Sequence, residues 1–386
     1  VHEPTSWATF AGRRATRAVE CVDLAKHPER LDEGLWFVVV DFEAALGRDG
    51  AVRDGGRARA WRFAEVGPAP APQDTARADA WRGPAASGWR SSLGREEYVR
   101  AVATVRERVR RGDVYQVNVC RVLTAPLPVA TGGDGTVVEP DAGALAARLA
   151  AGNPAPYAAA VHVPASSGLD PVWVVSASPE LYLSLEDGPG GAPVLASGPI
   201  KGTARTPAGL TAKDRAENVM ITDLVRNDLQ RVCRPGTVDV TDLLAVEEHP
   251  GLVHLVSRVR GELVPAADGP GRWGRAVEAT FPPGSVSGAP KSSALRLVAE
   301  LEPEPRGPYC GAIGWVDGDA GRAELAVGIR TFWWADEPGG GRLRFGTGAG
   351  ITWGSDPARE WDETELKASR LVGLASSADG VSDIDR

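Results

Sequence analysis

"PVWVVSASPELYLSLEDGPGGAPVLASGPIKGT", residues 171–203, packs three strand-like runs into one stretch, joined only by short Pro, Gly and Asp turns. The runs are rich in Val, Leu, Trp and Tyr, residues that suit a pleated, half-buried surface. No helix separates them, so strict β-α alternation is excluded and the strands pair antiparallel, the mark of an α+β fold. Outward from here the pattern repeats in "GAIGWVDGD" (311–319), "AELAVGIRTFWW" (323–334) and "RLRFGTGAGITW" (342–353). On the N-terminal side it recurs in "GLWFVVVDFEAALG" (34–47) and "VYQVNVCRVL" (114–123).

Helical periodicity interrupts these strands at three places. In "REEYVRAVATVRERVRRGD" (95–113), Tyr98, Val102, Val105 and Val109 share one face and Gly112 is a stop signal. In "AKDRAENVMITDLVRNDLQRVC" (212–233), Ile221, Leu224, Val225, Leu229 and Val232 define the buried face, which Glu217 shares by lying four residues before Ile221. An inward carboxylate is costly unless it is paired or bound to metal, and from this helix alone an arginine partner is the commoner outcome. In "SDPAREWDETELKASRLVGL" (355–374), Glu360, Glu363 and Lys367 stand on a stripe that Leu371 and Leu374 continue toward the core. On spacing alone a solvated face with a Glu363–Lys367 pair is the commoner outcome; if the stripe turns this face inward, Glu360 and Glu363 together with Glu217 would suit Mg²⁺.

"GPAPAPQDTARADAWRGPAASG" (67–88) breaks all periodicity and reads as a mobile loop. The expected organisation is one large domain: an N-terminal strand and loop portion over 1–92, a catalytic portion over 93–375, and a disordered tail over 376–386.

Composition narrows the function classes. A net charge of -8, with no basic cluster near aromatic residues, argues against nucleic-acid binding. Cys21, Cys120, Cys233 and Cys310 form no C-x-x-C pair and no disulfide framework. The longest apolar runs are far below the ~18 residues that cross a bilayer, so a soluble, cytoplasmic setting without membrane partners is expected. "FGTGAGITWG" lacks the strand-turn-helix context of a dinucleotide loop, and no Ser, His and acid set can be assigned to hydrolase chemistry. "FPPGSVSGAPK" (281–291) offers Ser285, Ser287 and the amides of Gly288 and Ala289 to an anion ahead of a helix. Arg330 reads as a strand arginine in need of a carboxylate partner, and His254 as a histidine among apolar neighbours.

"SASPE", "PIKGT", "DRAENVMITDLVRNDLQRVC", "HLVS", "FPPGSVSGAPK", "CGAIGW", "IRT", "GTGAGI" and E-x-x-E-x-x-x-K, in that order, resemble the chorismate-utilising enzymes, and most closely their aminodeoxychorismate branch. The resemblance spans about Arg95 to Leu374. It implies a domain of two antiparallel sheets packed face to face and surrounded by helices. It further implies that Glu217 and Glu363 bind Mg²⁺ with support from Glu360, and that the metal holds the ring carboxylate of chorismate. The substrate-binding positions it implies are Gly202, Thr203, His254, Ser287, Trp315, Arg330, Gly348, Ala349, Gly350 and Lys367.

By the same resemblance Lys201 attacks C2 of chorismate and expels the C4 hydroxyl, Glu180 protonates that hydroxyl, and ammonia then adds at C4 and releases the lysine. A free lysine is protonated at neutral pH and must be desolvated to attack. Relatives receive ammonia from a glutamine amidotransferase subunit, so such a partner is implied. Two positions separate the branches: anthranilate synthases typically carry alanine where Lys201 stands, and enzymes that add water at C2 carry a basic lysine where this chain has Gln116. Trp315 departs from the pattern, since many relatives have tyrosine there.

Overall fold

The computed structural model describes residues 6–44, 46, 55–69, 75–133, 135, 137–188, 191–249, 252–265, 269 and 271–377. Apart from a separate two-stranded sheet of Ala130–Thr131 and Val137–Val138, its strands form one continuous antiparallel ribbon. One half runs Gln116–Pro126, Arg342–Ile351, Thr331–Ala335, Val172–Ser178, Tyr157–Val163 and Trp7–Phe10. The other runs Arg13–Asp23, Ala58–Pro68, Leu35–Val40, Ala312–Asp317, Arg322–Val327, Leu181–Asp187, Pro193–Gly198, Leu252–Glu262 and Asp239–His249. The hairpin from Trp7–Phe10 into Arg13–Asp23 joins the halves through a two-residue turn with positive φ at both Ala11 and Gly12, the geometry that matches strand twist.

The two expected sheets are therefore two layers of one ribbon. Phe10, Phe37, Trp61, Val161, Val174, Ile313 and Trp315 form the core between them. "LWFVVV" is apolar throughout because both of its faces are covered: Phe37 and Val39 point between the layers, while Trp36, Val38 and Val40 point to the helix-covered side. The Arg95–Arg111 helix buries Tyr98, Val102 and Val105 as its spacing predicts and ends at Gly112 with φ 81°.

The Ala212–Gln230 helix starts with a reciprocal cap, in which the Thr211 hydroxyl accepts from the Asp214 N–H and the Asp214 carboxylate accepts from the Thr211 N–H. On the Pro357–Ala375 helix the buried stripe is Glu360, Thr364, Ala368, Leu371 and Ala375. Glu363 and Lys367 stand on its shoulder, with side chains 45% and 50% exposed. A 3.6-residue period carries positions 363 and 367 off the line that 360 and 364 begin.

Of the expected mobile segment 67–88, residues 70–74 lie outside the described residues, while the part from Ala76 onward is docked. Trp81 is 2% exposed and its indole N–H donates to the Ala375 carbonyl at 2.8 Å. Of the expected tail, Ser376 and Ser377 are paired: Ser377 donates its N–H to Pro84 and its hydroxyl to Gly83. Residues 378–386 lie outside the description.

Candidate active site

Lys201 lies on Ile200–Ala204, a short strand laid against Leu252–Glu262 with a register shift between Ile200 and Thr203. Gly202 sits in that shift with φ +95°, and a Cβ there would press on Asp214 at 2.8 Å. Only glycine lets this strand rise under the Ala212–Gln230 helix. The Lys201 side chain reaches the opposite half of the ribbon, where its Nζ lies 3.5 Å from the point a Cβ on Gly350 would occupy. Burial lowers its pKa and Lys367 lowers it further, against the opposing pull of Glu180, Glu217 and Glu363. The neutral, nucleophilic amine is correspondingly easier to reach.

Glu180 stands between Val172–Ser178 and Leu181–Asp187 and is 4% exposed. Burial pushes its carboxyl up to about 7, opposed by hydrogen bonds from the Ser285 hydroxyl and the Ile200 N–H and by the charge of Lys201. A carboxyl poised there can give and take a proton near neutral pH.

The carboxylates gather at the meeting of the Ala212–Gln230 and Pro357–Ala375 helices, each drawn onto a lysine. Lys213 Nζ lies 3.0 Å from Glu360 Oε1 and 3.6 Å from Glu217 Oε1, so one ammonium joins the two helices. Lys367 pairs with Glu363 at 2.6 Å and donates to the Gly348 carbonyl at 3.1 Å. Burial raises the Glu217 carboxyl, with Lys201 and Lys213 opposing and Glu360 and Glu363 adding to the rise. For Glu363 burial also pushes up, but Lys367, Lys213 and Lys201 outweigh it and hold the carboxyl below its usual range.

Among the described residues no group of three or more His, Cys, Asp or Glu is arranged as a ready metal cage. The donor set nonetheless fits a hard cation: Glu217 Oε1 is buried without a hydrogen-bond partner, and Glu217 feels the charges of both Glu360 and Glu363.

The strand Arg342–Ile351 forms one wall of this site. Gly350 has Gln116 and Lys201 over it, Gly348 has Cys120 Sγ at 2.6 Å from its missing Cβ, and Ala349 is fully buried. Arg330 lies at a break between Arg322–Val327 and Thr331–Ala335, not inside a strand, and takes φ 54°. Burial lowers its pKa, and no acidic partner reaches it among the described residues. An arginine held in a left-handed conformation without a carboxylate is a fork open to an anionic ligand.

Other assignments change. Trp315 points into the core between the layers, with the Arg13 guanidinium 3.9 Å over its ring, because strand alternation sends Ile313 and Trp315 there and Ala312 and Val316 to the helix side. Tyr309, which the sequence did not single out, instead packs its ring against Gly346 on the site's own wall. Ser287 is fully buried with its hydroxyl donated to the Pro283 carbonyl. Gly288 and Ala289 pair with Val117 and Gln116 in a ladder, so this segment offers no free anion cradle of the expected kind. His254 is 1% exposed and pairs through Nδ1 with the Thr203 hydroxyl at 2.9 Å. Lys213 was missed as well, although its place four residues before Glu217 was a legible signal.

The sequence matches the chorismate binding enzymes over residues 5–373. The chain belongs to that family. This member is 36% identical over 304 residues to anthranilate synthase component 1 of Streptomyces coelicolor, covering 76% of this chain and 54% of that one. It is 34% identical over 302 residues to aminodeoxychorismate synthase component 1 of Klebsiella aerogenes, covering 74% and 59%. It thus spans somewhat more than half the length of these relatives.

Among solved structures, anthranilate synthase component I from Streptococcus pneumoniae matches with TM-score 0.71 at 22% identity, over 96% of this chain and 91% of that one. The menaquinone-specific isochorismate synthase from Escherichia coli matches with TM-score 0.69 at 19% identity, over 97% and 89%. Both share the single α+β domain with its large antiparallel sheet. No helix among the described residues is long and apolar enough to cross a membrane.

Proposed function

We propose that this chorismate-binding enzyme aminates chorismate at C4 to give 4-amino-4-deoxychorismate, with ammonia delivered by a glutamine amidotransferase subunit. The observation that carries this reading is the desolvated Lys201, set over Gly350 at the same site as a Glu180 carboxyl poised near neutral pH. Neutral Lys201 attacks C2, the two conjugated ring double bonds shift, and the C4 hydroxyl leaves as water with the proton of Glu180. Ammonia then adds at C4, the two double bonds shift back, and the C2–N bond breaks with its electron pair returning to the lysine. The proton shed by the incoming nitrogen returns to Glu180.

Arg330 binds a substrate carboxylate in this reading. Glu217, Glu360 and Glu363 would hold Mg²⁺, which supplies a counter-charge for the ring carboxylate when bound.

The second reading is anthranilate formation, which the name and 36% identity of the Streptomyces relative favour. Purified protein incubated with chorismate, ammonium and Mg²⁺, followed by chromatography and mass analysis, separates the two. 4-Amino-4-deoxychorismate is the expected product; anthranilate selects the other reading. Chorismate-dependent stabilisation with no product under any ammonia supply would make the chain a binding protein.

A further inference from the structure

We propose that Lys213 is a built-in counter-ion that occupies the place of the divalent cation and must swing out for the metal to bind. This rests on the reading of Glu217, Glu360 and Glu363 as metal ligands. Lys213 Nζ stands between carboxylates from two different helices, 3.0 Å from Glu360 Oε1 and 3.6 Å from Glu217 Oε1. That is where a cation shared by the two helices has to sit. Glu360 is 3% exposed and Glu217 Oε1 has no hydrogen-bond partner, so without some cation these groups would face one another in a poorly solvated space.

The same geometry explains why no ready three-carboxylate cage is present. Glu360 and Glu217 lean on Lys213, while Glu363 is drawn aside by Lys367. Lys367 is tied to the Gly348 carbonyl as well as to Glu363, which fixes it to the sheet. Lys213 has no such tether: among the described residues its ion pairs are with the two carboxylates, its side chain is 46% exposed, and it sits in the first turn of its helix. A flexible four-carbon stem can carry its ammonium into water when a divalent ion takes its place.

Charge balance points the same way. With Lys201 as the neutral amine, Glu217, Glu360 and Glu363 face the ammonium groups of Lys213 and Lys367. Adding a divalent cation without removing Lys213 would leave the cluster with an excess of one positive charge and two cations competing for the same oxygens, whereas removing Lys213 leaves it balanced.

The test is calorimetric titration of the full chain with Mg²⁺ alone, together with thermal melts with and without Mg²⁺, for wild type, Lys213→Met, Lys213→Arg and Glu360→Gln. The proposal expects Lys213→Met to melt lower than wild type without metal and to bind Mg²⁺ more tightly by about threefold or more, the factor that a partly exposed ion pair commands. Lys213→Arg, which keeps the competing charge, is expected to bind Mg²⁺ no more tightly than wild type.

Equal or weaker Mg²⁺ binding by Lys213→Met, with wild type still binding, overturns the proposal and leaves the metal site standing. Absence of Mg²⁺ binding in wild type, or undiminished binding in Glu360→Gln, overturns the metal reading itself and the proposal with it.

Discussion

At the scale of single residues, Glu180, the proposed general acid, would couple catalysis to stability. Its carboxyl sits at about 7 in the folded protein because of burial, against an ordinary value near 4.5. An acid whose pKa rises on folding stabilises the fold while protonated, and that contribution is lost as pH climbs from about 4.5 through 7. A rise of this size corresponds to about 3 kcal/mol by pH 8. Glu180→Gln is therefore expected to gain about that much relative to wild type between pH 5 and pH 8, measured as the difference in unfolding free energy at the two pH values. Its turnover should fall by about 10²–10⁴-fold, the worth of a positioned general acid.

Lys201→Ala should abolish C4 amination while leaving chorismate binding largely intact, read by product analysis beside a binding titration. Unchanged turnover in that variant would remove the covalent role. These two residues were legible because their motifs are local. Tyr309 was not, because its place depends on packing against Gly346 from another part of the chain, and strand alternation around Trp315 could be assigned to a face only once the covering layer was known.

At the scale of elements, the strand Arg342–Ile351 shows how a glycine pattern divides its work. A methyl group on Gly348 would lie 2.6 Å from Cys120 Sγ and 2.7 Å from the Val119 carbonyl, both fixed in the neighbouring strand. Gly348→Ala is expected to cost about 1–3 kcal/mol of stability by overpacking. A methyl group on Gly350 would instead meet the far end of the Gln116 side chain, whose Oε1 has no hydrogen-bond partner holding it, and would stand 3.5 Å from Lys201 Nζ. Gly350→Ala should keep a melting temperature close to wild type and lose activity on the order of 10²-fold, because the substrate ring is displaced from the lysine. Melts and turnover of the two variants side by side check the contrast.

Sequence periodicity read these elements well where one face is apolar, as on Arg95–Arg111. It failed at Gly328–Arg330, where "AELAVGIRTFWW" reads as one strand but breaks into two around a left-handed arginine. A backbone conformation held by distant contacts leaves no period to detect.

At the scale of the whole molecule, the helix that carries Glu360 and Glu363 is held at two separate places. Near the carboxylates, buried Arg121 donates to the Thr364 hydroxyl at 3.0 Å, pairs with Glu365, and stacks 4.2 Å from the Trp361 ring. Thr347 of the site's wall donates to the Thr364 carbonyl at 2.9 Å. At the far end, Trp81 donates to the Ala375 carbonyl and Trp89 to the Ser376 hydroxyl at 3.0 Å, so a segment early in the chain clamps the end of its last helix. The far clamp is about 15 residues, or roughly 22 Å of helix, from Glu360.

Two anchors so far apart should act independently. Trp81→Phe leaves the Ala375 carbonyl buried without its donor and is expected to cost about 1–3 kcal/mol, with Mg²⁺ affinity unchanged. Arg121→Met removes the support one turn from Glu360 and is expected to cost a similar amount of stability while also weakening Mg²⁺ binding. Denaturant unfolding and Mg²⁺ titration of both single variants and of the double variant decide the matter. Additive stability losses with a metal defect confined to Arg121→Met mean that the ligands are positioned locally. A metal defect in Trp81→Phe would mean that the helix transmits its far end to the site as one rigid rod.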